Sequence, residues 1–285
     1  MTMKTHRQHA SEAEAHDYLL SLCRPDGAPL CPRCGCRRIY TLSGSRMRCA
    51  ECKYTFHEFS GRWLDNGALS CSQWLELLRC FAEEQSVDSI TERLGLSCNT
   101  VYKALTVVRF SILAHAQDAA QLLGPQTGLD SFLNGSRLTG GPTRMRMETI
   151  PVYGILTKDD WAFIDLVPGL RAETVFHFHL NFQLKLERLG NLIYSERYRH
   201  YDALILCGNN ALPYDCIRRH RTPVHIDVMD SGFWAFARHR IKRFRGISCQ
   251  RFPLYLKELE FRFNNREQDI FPLLTRRICG LVRPC

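Results

Sequence analysis

A chain of 285 residues, 45% of them hydrophobic, can bury one sizeable core with smaller appendages, and a formal charge of +9 favours a polyanionic partner. No run of about 18 apolar residues occurs, and the opening MTMKTHRQHASEAEAHDYLLSL carries charges where an export signal needs an apolar stretch, so a soluble, cytoplasmic protein with no membrane partner is expected. Without an export signal, fourteen cysteines read as reduced thiols and metal ligands, which argues against a disulfide scaffold.

In chain order, residues 11–22 have the spacing of a short amphipathic helix, followed by the turn-rich RPDGAPL. CPRC and CAEC then set Cys31, Cys34, Cys49 and Cys52 as two C-x-x-C knuckles separated by fourteen residues. Two thiolates from each tight turn can reach one tetrahedral ion, so the pattern predicts a structural zinc in a small β ribbon that depends on the metal to fold. Cys36 reads as a bystander, with an exchange of register with Cys34 left open. Arg33, Arg37, Arg38, Arg46 and Arg48 tilt the ribbon towards DNA.

Trp74, Leu77, Leu78 and Phe81 follow helical spacing, and SVDSITERLGLSCNTVYKALTVVR continues as two helical patterns parted at Gly95. This resembles a helix-turn-helix in which Val87, Ile90 and Leu94 pack inside and Ser97 caps the second helix. Cys98, Asn99, Thr100 and Lys103 would then face a groove or phosphates. Plain packing of three helices produces the same stripe, so that reading stays open.

After AAQLLGPQTG the period becomes strand-like. Strands are expected at 128–133, 149–157 and 160–168, then a helix carrying Val175, Phe178 and Phe182, a strand NLIYSE, a short helix from Tyr201 to Leu206, a strand PVHIDV, and two closing helices from Gly232 and Phe252. The division is therefore 1–60, an N-terminal helix and zinc ribbon; 61–124, a helical DNA-binding region; and 125–285, a mixed sheet with flanking helices. The fold class is α+β, in several domains.

Asp130 falls in the first strand of the sheet, Glu196 at the end of the fourth, and Asp230 at the start of a late helix. Their order and topology suit a ribonuclease-H-like site, in which three carboxylates hold two metal ions about 4 Å apart for phosphoryl transfer. Taken singly, each acid is better explained by a structural role; a carboxylate before a helix is ordinarily an N-cap.

Several longer stretches carry a closer likeness: CPRCGCRRIY, FHEFSGRWLDNGALSCSQWLELLRCFAEEQS, NTVYKAL, VYGIL, FWAFARHRIKRFRGIS and FPLYLKELEFRFNNR. Through them the chain resembles bacterial insertion-sequence transposases of the ISXO2-like type, with a zinc ribbon, a helix-turn-helix and a DDE-type catalytic domain. The resemblance implies binding of terminal inverted repeats, metal-dependent cleavage and strand transfer into target DNA, magnesium or manganese as catalytic cofactor, and homo-oligomers on paired ends. Asp130 matches the family's first aspartate. Glu196 stands where the second aspartate is usual, and Ser231 where the third acid is usual, with Asp230 one residue earlier. Asp230 is thus either a displaced metal ligand or a helix cap in a decayed site. Arg238, Arg240, Lys242, Arg243 and Arg245 read as phosphate contacts, while Phe233, Ala237, Ile241 and Phe244 pack that helix. The alternative function is a decayed copy that binds DNA without cutting it.

Overall fold

The computed structural model describes residues 11–116, 119, 152–158, 161–166, 202–207, the helical positions 233, 236, 237 and 240, and 252–282. They fall into two compact units. One contains the described residues up to Ser111 together with those from Asp269 onward; the other contains the described residues from Ile112 to Gln268.

The first unit begins with helix α1 (Glu12–Cys23), capped by Ser11, whose side chain accepts from the Glu14 N–H. Strands β1 (Ile39–Thr41), β2 (Met47–Cys49) and β3 (Thr55–Phe56) form an antiparallel ribbon in that order. A 3-10 turn (Trp63–Asn66) leads to α2 (Cys71–Ala82), α3 (Val87–Leu94) and α4 (Cys98–Leu113), and α6 (Phe271–Ile278) returns from the far end of the sequence to pack on α1 and α2.

Hydrophobic spacing explains the packing. Trp74, Leu77, Leu78 and Phe81 share one stripe of α2, and all are buried. The Trp74 indole N–H donates to the Leu64 carbonyl at 3.1 Å, and a Cβ on Gly67 would overlap the Trp74 ring. Trp63 stacks on Phe110 of α4 at 6.3 Å between centroids. The buried Arg62 guanidinium donates to the last-turn carbonyls of two helices, to Cys23 at 2.7 Å and to Cys279, so one cation closes the C-terminal ends of both α1 and α6.

The start of α2 carries two sets of caps. Ser70 and Gln73 make a reciprocal capping box, and the Glu12 carboxylate accepts from the backbone N–H of Cys71 at 2.6 Å and of Ser72 at 3.0 Å, and from the Ser70 hydroxyl at 2.9 Å. Burial pushes the Glu12 carboxyl up, but these hydrogen bonds and that of the Ser72 side chain outweigh it and hold the group at about 2. A carboxyl lowered in the folded state stabilises above its unfolded value of about 4.5 and loses that contribution as pH falls towards about 2. Glu12→Gln is therefore expected to lower the melting temperature at pH 7 and to leave it unchanged at pH 2, as thermal melts across that range would register.

In the second unit β4 (Val152–Lys158) is the central strand, with β5 (Trp161–Leu166) and β6 (Asp202–Cys207) antiparallel on either side. The first two strands lie where the sequence pattern puts them. The short helix expected from Tyr201 to Leu206 is instead strand β6, paired from Val152↔Cys207 to Thr157↔Asp202. Ala203, Leu204, Ile205 and Leu206 form a continuous apolar run whose periodicity cannot separate a helix turn from a buried strand, and pairing with β4 decides it.

Helix α5 (Phe252–Asn264) lies against β5. Leu256, Leu259 and Phe263 are buried, and Phe263 meets the rings of Phe233 and Phe236 edge-on at 5.3 and 5.5 Å. Its polar residues treat the edge of β5 as a further strand would. The Asn264 amide accepts from the Ala162 N–H at 2.8 Å and donates to the Ala162 carbonyl at 2.7 Å, while Glu260, one turn earlier, accepts from the Ile164 N–H at 2.7 Å and pairs with Lys257 at 2.7 Å. Asn264→Leu would strand both backbone groups of the buried Ala162, at about 1–3 kcal/mol for each. Denaturant unfolding is expected to show the loss, and hydrogen exchange to show faster exchange of the Ala162 amide.

Candidate metal centre and nucleic-acid interface

Cys31, Cys34, Cys49 and Cys52 each offer a sulfur, and all four sulfurs lie within 4.8 Å of one another. Cys31 and Cys52 approach to 3.6 Å and Cys34 and Cys49 to 3.5 Å. Tetrahedral zinc with Zn–S bonds of about 2.3 Å needs sulfurs about 3.8 Å apart. The donor set fits that ion in chemistry and in spacing.

Each knuckle is a turn fixed by its backbone. Gly35, at φ +71°, lets its N–H donate to the Cys31 carbonyl at 3.0 Å, and Lys53, at φ +60°, precedes a bond from the Cys49 N–H to the Tyr54 carbonyl at 3.0 Å. Cys36 stands outside the four; its sulfur accepts from the Arg38 N–H at 3.3 Å, so it supports the first turn. Burial pushes the Cys49 thiol up, yet the backbone N–H groups of Cys52 and Glu51 and the neighbouring thiols bring it down to about 6. The Cys36 backbone pulls the neighbouring Cys34 thiol down, but the other cysteine thiols push it up to about 12, so the four sulfurs share their protons unevenly. The only other core of the ribbon is small: Met47 and Phe56, with Ile39 half-buried, packed on the cysteines themselves.

The sequence-predicted DNA contacts divide. Asn99 is exposed at the start of α4; Thr100 is half-buried, with its N–H donating to the Ser97 hydroxyl at 3.2 Å, and Lys103 is half-buried one turn on. Gly95 adopts the left-handed conformation, φ +63°, that ends α3. Arg240 is half-buried over the Phe236 ring at 3.7 Å and donates to its carbonyl at 3.0 Å. Asp130, Glu196, Asp230, Arg238, Lys242, Arg243 and Arg245 lie outside the described residues. Among the described residues no helix is long and apolar enough to cross a membrane.

Sequence reasoning missed Glu12 and Arg62, whose partners sit 58 and more residues away for Glu12 and 39 and 217 away for Arg62. No local pattern carries such a signal.

Residues 10–55 match a transposase zinc-ribbon domain, and residues 121–264, half of the chain, match the ISXO2-like transposase domain. The chain belongs to the ISXO2-like transposases. A 78-residue stretch of the chain is 33% identical to an uncharacterized transposase-like protein of Haemophilus influenzae, covering 27% of this chain and 63% of that relative. No solved structure matches the chain. The sulfur cluster thus lies within the matched zinc-ribbon domain.

Proposed function

We propose that the chain is the transposase of an insertion sequence, which binds the ends of its element and performs metal-dependent cleavage and strand transfer. The observation that carries this is the family match over 121–264 joined to a four-cysteine cluster in the matched ribbon. The ribbon (1–60) and a helix-turn-helix within 61–124 hold the terminal repeats. Asn99, Thr100 and Lys103 contact DNA there, and Arg238, Arg240, Lys242, Arg243 and Arg245 hold phosphates beside the reacting strand.

Within residues 125–285, the part before Asp269 forms the ribonuclease-H-like domain, while α6 packs with the first unit. Asp130 and Glu196, with Asp230 recruited from the helix start, supply hard oxygen donors suited to magnesium or manganese. When bound, the metals stabilise the attacking and leaving oxygens of an in-line displacement. The carboxylates position and anchor, while water and then the freed 3′ hydroxyl are the nucleophiles, so no covalent protein intermediate forms. Copies of the chain act together as a homo-oligomer on paired ends in the cytoplasm.

Glu196 and Ser231 favour a second reading, a decayed copy that binds ends without cutting. The longer arm shifts a ligand by about one C–C bond where catalytic geometry tolerates about 0.5 Å, and a serine hydroxyl brings no charge. Incubating the zinc-loaded chain with a labelled duplex carrying the flanking element end, in magnesium and then manganese, separates them. Nicks at the element end support the first reading; specific binding without nicks in either metal selects the second.

A further inference from the structure

Cross-strand register sorts the ribbon's side chains into two faces. Met47 and Cys49 of β2 point inward with their partners Phe56 and Ile39, whereas Arg48 points outward between its partners Tyr40 on β1 and Thr55 on β3. Arg46 lies two residues before Arg48 and so shares the outward side, opposite Leu42, whose N–H donates to the Arg46 carbonyl at 2.8 Å. Tyr40 is 62% exposed and Leu42 36%, so both side chains are open to a partner on this face.

Charge distinguishes this face from its surroundings. Between Cys31 and Phe56 six cations, Arg33, Arg37, Arg38, Arg46, Arg48 and Lys53, stand against one carboxylate, Glu51. Arg38 is paired with Glu51 at 2.6 Å and Arg37 with Asp26 at 2.8 Å. Arg33 lies over the Tyr54 ring at 5.9 Å, and Lys53 turns back to the Ala50 carbonyl at 2.6 Å. Arg46 and Arg48 have no carboxylate within ion-pair distance among the described residues; Arg46 donates only to the Ser43 carbonyl, at 3.3 Å. Two guanidinium groups without a carboxylate partner among the described residues therefore share an outward face with an exposed aromatic ring, Arg48 directly across from Tyr40.

We infer that the outward face formed by Tyr40, Arg46 and Arg48 docks the phosphate backbone of duplex DNA. The inference rests on the DNA-binding reading proposed above and assigns it a surface. Guanidinium forks match phosphate oxygens, and the Tyr40 hydroxyl adds a neutral donor, so the contact positions the duplex without reading its sequence.

The test is fluorescence anisotropy of the zinc-loaded full chain on a labelled duplex carrying the flanking element end and on a scrambled duplex, over a range of salt. Arg46→Ala/Arg48→Ala is expected to reduce the slope of log K against log salt by about 1.8 on both duplexes, at about 0.9 per phosphate contact. Arg46→Lys/Arg48→Lys is expected to keep the slope, and Arg37→Ala/Arg38→Ala, which removes cations already paired, to leave it unchanged. Equal zinc content confirms that each variant is folded. An unchanged slope in the first variant, or an equal fall in the third, overturns this face while leaving DNA binding in place. Failure of the unsubstituted chain to bind either duplex at low salt overturns both the face and the reading beneath it.

Discussion

Stripping zinc from the chain is expected to unfold the ribbon, and Cys34→Ser is expected to do the same at ordinary zinc concentrations. Two strands of three residues and one of two, closed on Met47 and Phe56, bury too little apolar surface to offset the chain entropy of ordering the segment. The metal supplies the difference, since structural zinc binding is worth about 10–16 kcal/mol in small domains and is counted as folding energy. Loss of a direct ligand should exceed the roughly 10–100-fold cost of disturbing an outer-shell partner. Cys36→Ser, by contrast, changes a sulfur outside the four that accepts from the Arg38 N–H and donates to the Arg38 carbonyl, and zinc content should stay at one ion per cluster. Elemental analysis with amide exchange across residues 31–56 checks both. Protection that persists in the Cys34→Ser protein would refute a metal-dependent ribbon.

What could be read from the sequence was local. The knuckles declare themselves because C-x-x-C spacing is a property of one turn, and the α2 stripe because 3.6-residue periodicity reports its own buried face. Gly95 marked the end of α3 because a left-handed residue favours glycine. The misread segment was Tyr201–Leu206, where a short apolar run has no period of its own and its partner strand determines its conformation. Long-range polar contacts were equally hidden. FPLYLKELEFRFNNR was distinctive as a string, but that Glu260 and Asn264 bind the edge of β5 depends on residues about a hundred positions earlier. The outward row of Tyr40 and Arg48 likewise needed the strand register. The three carboxylates were placed by order and resemblance alone, so their convergence stands as a proposal.

On that proposal Asp130→Asn carries the largest functional effect. Asparagine keeps the size and one acceptor oxygen but removes the charge that anchors the metal, and metal stabilisation of the displacement is worth several kcal/mol. At about 1.4 kcal/mol for each factor of ten, cleavage should fall by on the order of 10³-fold or more. Zinc content and end binding should be unchanged, because the zinc ligands Cys31 to Cys52 and the proposed end-binding modules precede Asp130 in the sequence and do not include it. Glu196→Asp restores the family's usual residue and is expected to hold or raise the rate.

The most direct measurement is the nicking rate of a labelled duplex bearing the flanking element end, comparing the unsubstituted chain with Asp130→Asn in magnesium and in manganese. Nicks are expected at the element end, leaving a free 3′ hydroxyl, and are expected to vanish with the substitution while binding persists. Nicking that survives Asp130→Asn would contradict the assignment of the acidic site, and binding without nicking in either metal would contradict catalysis by this chain.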